Sequence, residues 1–187
     1  MQIPFRQSPN YTKGGINPIG FVLHGTLGNY EGAVNWLCMS KAQRGDGTES
    51  SAHYVVAKDG RVTQLVDTNS TAWHAGRVSN PSKYAQSVLP KSLGVYKNPN
   101  ASFIGIELEW FVGDPVTEAQ YQTCLEIIKN SGIKNPVLIG HTDIASFKSD
   151  DMEFACVELR KRLTPNAPVI DNKALILQKL EEIKQLL

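Results

Sequence analysis

Two short apolar runs, each ending at a histidine, constrain this chain more than any other feature. Val137-Leu138-Ile139 is closed by Gly140 and followed by His141, and the run from Ile19 to Leu23 gives way to His24 and Gly25. Runs this short, bounded by glycine and proline, suit buried strands and fall short of helices. Each strand end therefore delivers an imidazole where a loop begins. The loop after His141 also carries Lys148 and Asp150. Neutral imidazoles and a carboxylate are zinc ligands, so His24, His141 and Asp150 form a His-His-Asp set with one position left open. That is a catalytic layout; a structural zinc site is closed by four protein ligands.

Each residue also has a plainer reading. His24 and His141, taken singly, are core histidines at strand ends, and Lys148 alone is a solvated charge. Asp150 with Glu153 three residues on is a capping box for the next helix, and Asp151 competes with Asp150 as ligand. Convergence of all four types at this spacing favours the metal.

The other segments alternate strand and helix signals, which predicts an α/β layout. Ala33, Trp36 and Leu37 mark a helix over 31–42, with Trp36 as a core residue. His53–Ala57 and Arg61–Val66 flank Lys58-Asp59-Gly60, a hairpin signal because Asp-Gly tolerates the positive φ of a tight turn. Residues 67–102 form a long turn-rich segment carrying Trp73-His74-Ala75-Gly76. Loops of that length in a compact domain are usually functional or mobile. Phe103 to Glu109 alternates, placing Gly105, Glu107 and Glu109 on one face and Ile104, Ile106 and Leu108 on the other. Thr117 and Gln120 open a helix as a capping box, and Gly132 closes it. A further helix spans 153–163 with Phe154, Val157 and Leu159 as core candidates. His53 reads as structural.

With 187 residues, 41% of them hydrophobic, the chain supports one good core. The expected organisation is a domain over 1–165, its first 18 residues an irregular leader, then a linker and C-terminal amphipathic helix over 166–187. On that helix Ile176, Leu180, Ile183 and Leu187 form a seam suited to the domain or to self-association with a second copy. With 19 basic and 18 acidic residues the chain has no basic field for nucleic acid. No apolar run reaches the roughly 20 residues of a membrane span. The N-terminus lacks the basic start and apolar core of a secretory signal, so a cytoplasmic location is expected. Cys38, Cys124 and Cys156 are widely spaced and read as free thiols, with no disulfide framework or Cys metal cluster.

With these residues in place, the chain resembles the zinc-dependent N-acetylmuramoyl-L-alanine amidases of the peptidoglycan-recognition type. That family includes small phage amidase lysozymes and cytosolic amidases that recycle anhydro-muropeptides. The likeness covers roughly residues 19–163. It is carried by Val22-Leu23-His24-Gly25-Thr26, Ser51-Ala52-His53-Tyr54, Lys58-Asp59-Gly60, Trp73-His74-Ala75-Gly76, Ile104-Gly105-Ile106-Glu107-Leu108-Glu109 and the 138–150 stretch. The resemblance implies a mixed central sheet flanked by helices, with a groove over one end. It implies one zinc ion on His24, His141 and Asp150, with Glu107 and Lys148 serving the attacking water and the developing oxyanion. The reaction implied is hydrolysis of the amide joining N-acetylmuramic acid to L-alanine in peptidoglycan or muropeptides, as in an endolysin or a recycling enzyme.

Three positions depart from the family pattern. Ala52 stands where the phage lysozymes carry Tyr, which leaves acid/base duty to Glu107. Asp150 is followed by Asp151 and Met152 rather than Pro and Gly. Trp110 replaces a small residue, either narrowing the groove or offering a sugar a stacking face. Trp73 and His74 complete the expected substrate contacts. Two other readings stand beside the enzyme: a peptidoglycan-binding module without catalysis, and a phage structural or interaction protein assembled through the last helix.

Overall fold

The computed structural model describes residues 2–164. The linker and helix expected over 166–187, and any self-association through them, lie outside the described residues. The chain runs through β1 (Tyr11–Gly15), β2 (Gly20–Gly25), α1 (Tyr30–Leu37), α2 (Lys41–Arg44), β3 (Tyr54–Val56), β4 (Val62–Gln64) and β5 (Ser70–Ala72). It continues as α3 (Lys83–Val88), β6 (Lys91–Ser92), β7 (Val95–Tyr96), β8 (Phe103–Leu108), α4 (Glu118–Asn130), β9 (Val137–Gly140), α5 (His141–Ile144) and α6 (Glu153–Leu163).

Five strands form one mixed sheet in the order β4-β3-β8-β2-β9. The β3–β4 hairpin is antiparallel and turns at Gly60 with φ +88°, as its Asp-Gly pair predicts. The remaining neighbours are parallel. Central parallel strands are covered on both faces, and every residue of β2 is accordingly buried. One face packs Phe21, Leu23, Ile104, Ile106, Leu108 and Leu138 against α4 and α6. The opposite face packs Val22, Phe103 and Ile139 against Ala75, Ala85 and Leu89, while Val55 meets Tyr30, Val34 and Leu37 of α1. The layers are therefore helices, sheet, then helices with loop.

Four local expectations are corrected. The leader is structured: β1 pairs antiparallel with β5, and Arg6 and Ser8 donate backbone hydrogen bonds to Gln64 and Leu65. The helix expected over 31–42 stops at Leu37 and restarts at Lys41, because Ser40 and Gln43 form a capping box of their own. The 67–102 segment is mostly built, with α3 and a β6–β7 hairpin within it. On α6 the buried side chains are Ala155, Cys156 and Leu159, whereas Phe154 and Val157 are 44% and 36% exposed. All three cysteines are free, and no helix among the described residues is long and apolar enough to cross a membrane.

Candidate metal centre

Strand register brings the chemistry together. His24 on β2 pairs with Glu107 on β8, and Leu23 pairs with Gly140 on β9, so His141 emerges at the same level on the other side. Residues directly opposite in a parallel pair share a face, so Glu107 and His24 project together at the carboxyl ends of their strands. The turn into α5 is held by Asp143, whose carboxylate accepts from the Gly140 N–H (3.0 Å) and the Ser82 hydroxyl (2.6 Å). The loop after α5 returns Asp150 to the two imidazoles.

The ligand candidates are buried, with His24 at 1%, His141 at 6% and Asp150 at 8% exposure. Their donor atoms lie within 4.8 Å of one another. His24 Nδ1 is 3.0 Å from His141 Nδ1 and 3.3 Å from Asp150 Oδ2, which is 2.8 Å from His141 Nδ1. The hydrogen-bond partners assign the tautomers. The His141 Nε2–H donates to the Ala75 carbonyl at 3.2 Å. His74 Nε2 faces the Phe103 carbonyl at 3.1 Å and must carry the proton there, leaving His74 Nδ1 to accept from His24 Nε2–H at 3.0 Å. In the neutral rings both Nδ1 atoms are then bare lone pairs turned towards a carboxylate. Three converging acceptors repel one another, and a single cation between them satisfies all three. Two imidazole nitrogens and one carboxylate oxygen are a donor set that suits zinc.

Electrostatics reinforce this. Burial, then the proximity of the His141 ring, outweighs the pull of Asp150 and pushes the His24 imidazole down to about 4. His74 is lowered by burial and by its His24 and His53 neighbours. Burial opposes ionisation of Asp150, but its contacts with the His141 and His24 rings prevail and hold its carboxyl well below the usual range. A neutral His24 beside an ionised Asp150 is what a divalent ion requires of those two ligands. Burial, then the Asp150 charge, pushes the Glu107 carboxyl up to about 8.

Above these groups opens a cavity of about 670 Å³ lined by His24, His74, Glu107, His141, Lys148 and Asp150 on one side and by α1 on the other. Lys148 is on the wall, its ammonium 5.4 Å from the Phe147 ring centroid. Trp36, expected in the core, is instead 41% exposed and lines the cavity, with the Arg44 guanidinium 4.8 Å from its ring centroid. The spacing of Tyr30, Val34 and Leu37 defines the buried stripe of α1, and Trp36 lies off it.

Other expectations move the opposite way. Trp110 is 5% exposed, its indole donates to the Asp114 carbonyl, and its ring covers Gly25, so it offers the groove no stacking face. The Trp73 indole donates to Thr12 and stands apart from the cavity lining. His74 does line the cavity, but both ring nitrogens are engaged by protein, which removes it as a polar substrate contact. Asp151 stands outside the converging group, its Oδ1 accepting from the Glu153 N–H and the Thr142 hydroxyl. His53 bridges Gly105 N–H and the Ser70 carbonyl and stays outside the cavity. Sequence reasoning passed over Asp143 and the Ala75 carbonyl and took Trp36 for a core residue; for the first, the spacing Gly140-x-x-Asp143 was the available sign.

Comparison with known proteins agrees with this geometry. Residues 15–153 match the family described as N-acetylmuramoyl-L-alanine amidase. The 1,6-anhydro-N-acetylmuramyl-L-alanine amidase AmpD of Haemophilus influenzae is 36% identical over 106 residues, 54% of this chain and 50% of that protein. The chain thus spans about half the length of the curated relative it matches. A crystal structure of an AmpD selenomethionine derivative superposes with TM-score 0.60 at 25% identity, covering 83% of this chain and 92% of the other. The amidase AmiD of E. coli, solved with an anhydro-N-acetylmuramic acid peptide, gives TM-score 0.50 at 25% identity over 78% of this chain and 55% of its own. With its whole five-stranded sheet, all three ligand candidates and Glu107 inside the matched span, the chain belongs to the N-acetylmuramoyl-L-alanine amidase family.

Proposed function

We propose that this chain hydrolyses the amide between the lactyl group of N-acetylmuramic acid and the L-alanine of the stem peptide, with one zinc ion held by His24, His141 and Asp150. The observation that carries the reading is the meeting of three acceptor atoms and one proton-shifting carboxyl, Glu107, on the floor of a ligand-sized cavity. Zinc, when bound, supplies Lewis-acid polarisation and a water pKa near 7.

The chain's own residues do the rest. Glu107 takes the proton of the attacking water and returns it to the leaving nitrogen, a task suited to a carboxyl whose pKa is raised towards neutrality. Lys148, on the cavity wall, offsets charge that grows on the carbonyl oxygen. The neutral α1 wall of Gly32, Ala33 and Trp36 receives the pyranose ring, its indole providing a flat apolar face. AmiD was solved with an anhydro-muropeptide and the Haemophilus relative is named for one, so soluble anhydro-muropeptide is the first substrate to try beside intact sacculi.

The test incubates purified protein with each substrate, with chelator and with added zinc, and assays new amino groups and new reducing ends. Freed L-alanine amines that vanish with chelator and return with zinc are expected. Reducing ends instead would make it a glycosidase, and zinc binding without either product would leave a binding module. The ratio of the two substrates separates wall lysis from recycling.

A further inference from the structure

We propose that His74 is a positioning residue for the metal centre: by accepting the Nε2 proton of His24 it determines which nitrogen of that ligand faces the cation. The inference rests on the zinc reading above and concerns a residue outside the ligand set.

Three features of the fold hold His74 in this role. Its own Nε2–H is taken by the Phe103 carbonyl, so Nδ1 is left only as an acceptor, 3.0 Å from His24 Nε2. Its ring lies against β8 at Gly105, where a Cβ would come within 2.6 Å of the imidazole Cγ. Any side chain at 105 would push the ring off His24; this is a close approach that only glycine permits. Third, the N–H groups of His74 and Ala75 both donate to Oδ1 of the buried Asn100, at 3.2 and 2.8 Å.

That clamp gives the segment a double duty. Ala75, adjacent to His74, presents the carbonyl that accepts the His141 Nε2–H. Two consecutive residues, pinned by one Asn, therefore set the tautomers of both imidazoles, and both bare Nδ1 atoms face Asp150. An imidazole held this way meets the cation already oriented and more basic, and loss of such a partner typically weakens metal binding about 10–100-fold.

A packing role alone predicts something different, which His74→Phe exposes. Phenylalanine keeps a ring over Gly105 and removes the acceptor. Zinc affinity of the full chain, read by competition against a chromophoric chelator at neutral pH, is expected to fall about 10–100-fold. Equal affinity in variant and wild type overturns the proposal while leaving the zinc reading intact; no zinc binding by wild type overturns the zinc reading itself. A second measurement needs no variant. In zinc-loaded wild type labelled with 15N at histidine, His74 should be neutral with its proton on Nε2, and a scalar coupling should cross from His24 Nε2–H to His74 Nδ1. An Nδ1–H tautomer at His74, or absence of the coupling, overturns the proposal whether or not His74→Phe folds.

Discussion

His24 and Glu107 face each other across the parallel pairing of β2 and β8, so the ligand candidate and the candidate base stand one strand spacing apart at the same level. The sheet holds both backbones in register. Val55 pairs with Glu107 on the other side, so the carboxyl is seated in the middle of the sheet.

That placement separates binding from turnover. Glu107→Gln keeps size and hydrogen-bonding reach and removes only the proton acceptor. Zinc stoichiometry by atomic absorption should match wild type, while amide hydrolysis falls about 10²–10⁴-fold. Near-normal turnover would move the base elsewhere.

The pH dependence of stability should carry a contribution from His53. Its Nδ1 accepts the Gly105 N–H and its Nε2–H donates to the Ser70 carbonyl, so a second ring proton would point at a donor. Burial pushes the folded pKa down to about 4 from 6.5. The unfolded chain therefore binds more protons between those values, and stability rises with pH there. The contribution, on the order of 3 kcal/mol, is complete above the unfolded value and lost as pH falls through the window towards 4. Urea midpoints at neutral and mildly acidic pH should drop less in His53→Gln than in wild type. Parallel drops would show that His53 does not titrate in this window.

What the sequence shows and hides follows from the range of the interactions. Ile19–His24 and Val137–His141 are legible because a parallel strand buried on both faces must be continuously apolar, and its end is marked by the first polar residue. The Thr117–Gln120 box is likewise local. The pairing of β1 with β5 is not, since it joins residues as distant in sequence as Tyr11 and Ala72 through backbone atoms. Trp110 reads as a groove residue until Gly25, from a distant strand, is seen beneath its ring. The Ala75 carbonyl leaves no trace in side-chain identity.

Helix α6 offers a direct check on which face is inside. Leu159 is fully buried beneath the sheet, so Leu159→Ala should cost about 2–5 kcal/mol in denaturant unfolding. Phe154, apolar and five residues earlier, is 44% exposed, and Phe154→Ser should stay within about 0.5 kcal/mol of wild type. Similar losses for the two would place the core on the wrong face of the helix.

Trp36 is held as a wall rather than as filling. Arg44, 9% exposed, stacks on its ring, donates to its carbonyl at 2.9 Å and to Ser50 at 2.7 and 2.8 Å, and forms no ion pair with a carboxylate among the described residues. A guanidinium kept this far from water by neutral partners fixes the indole towards the cavity. If that indole receives the sugar, Trp36→Ala should raise KM for anhydro-muropeptide about 3–10-fold, the value of one aromatic contact, with kcat and zinc affinity unchanged. Arg44→Met should move KM in the same direction by releasing the ring. A fall in kcat with KM unchanged would instead tie α1 to the chemical step, and no change in either would leave the sugar on the opposite wall.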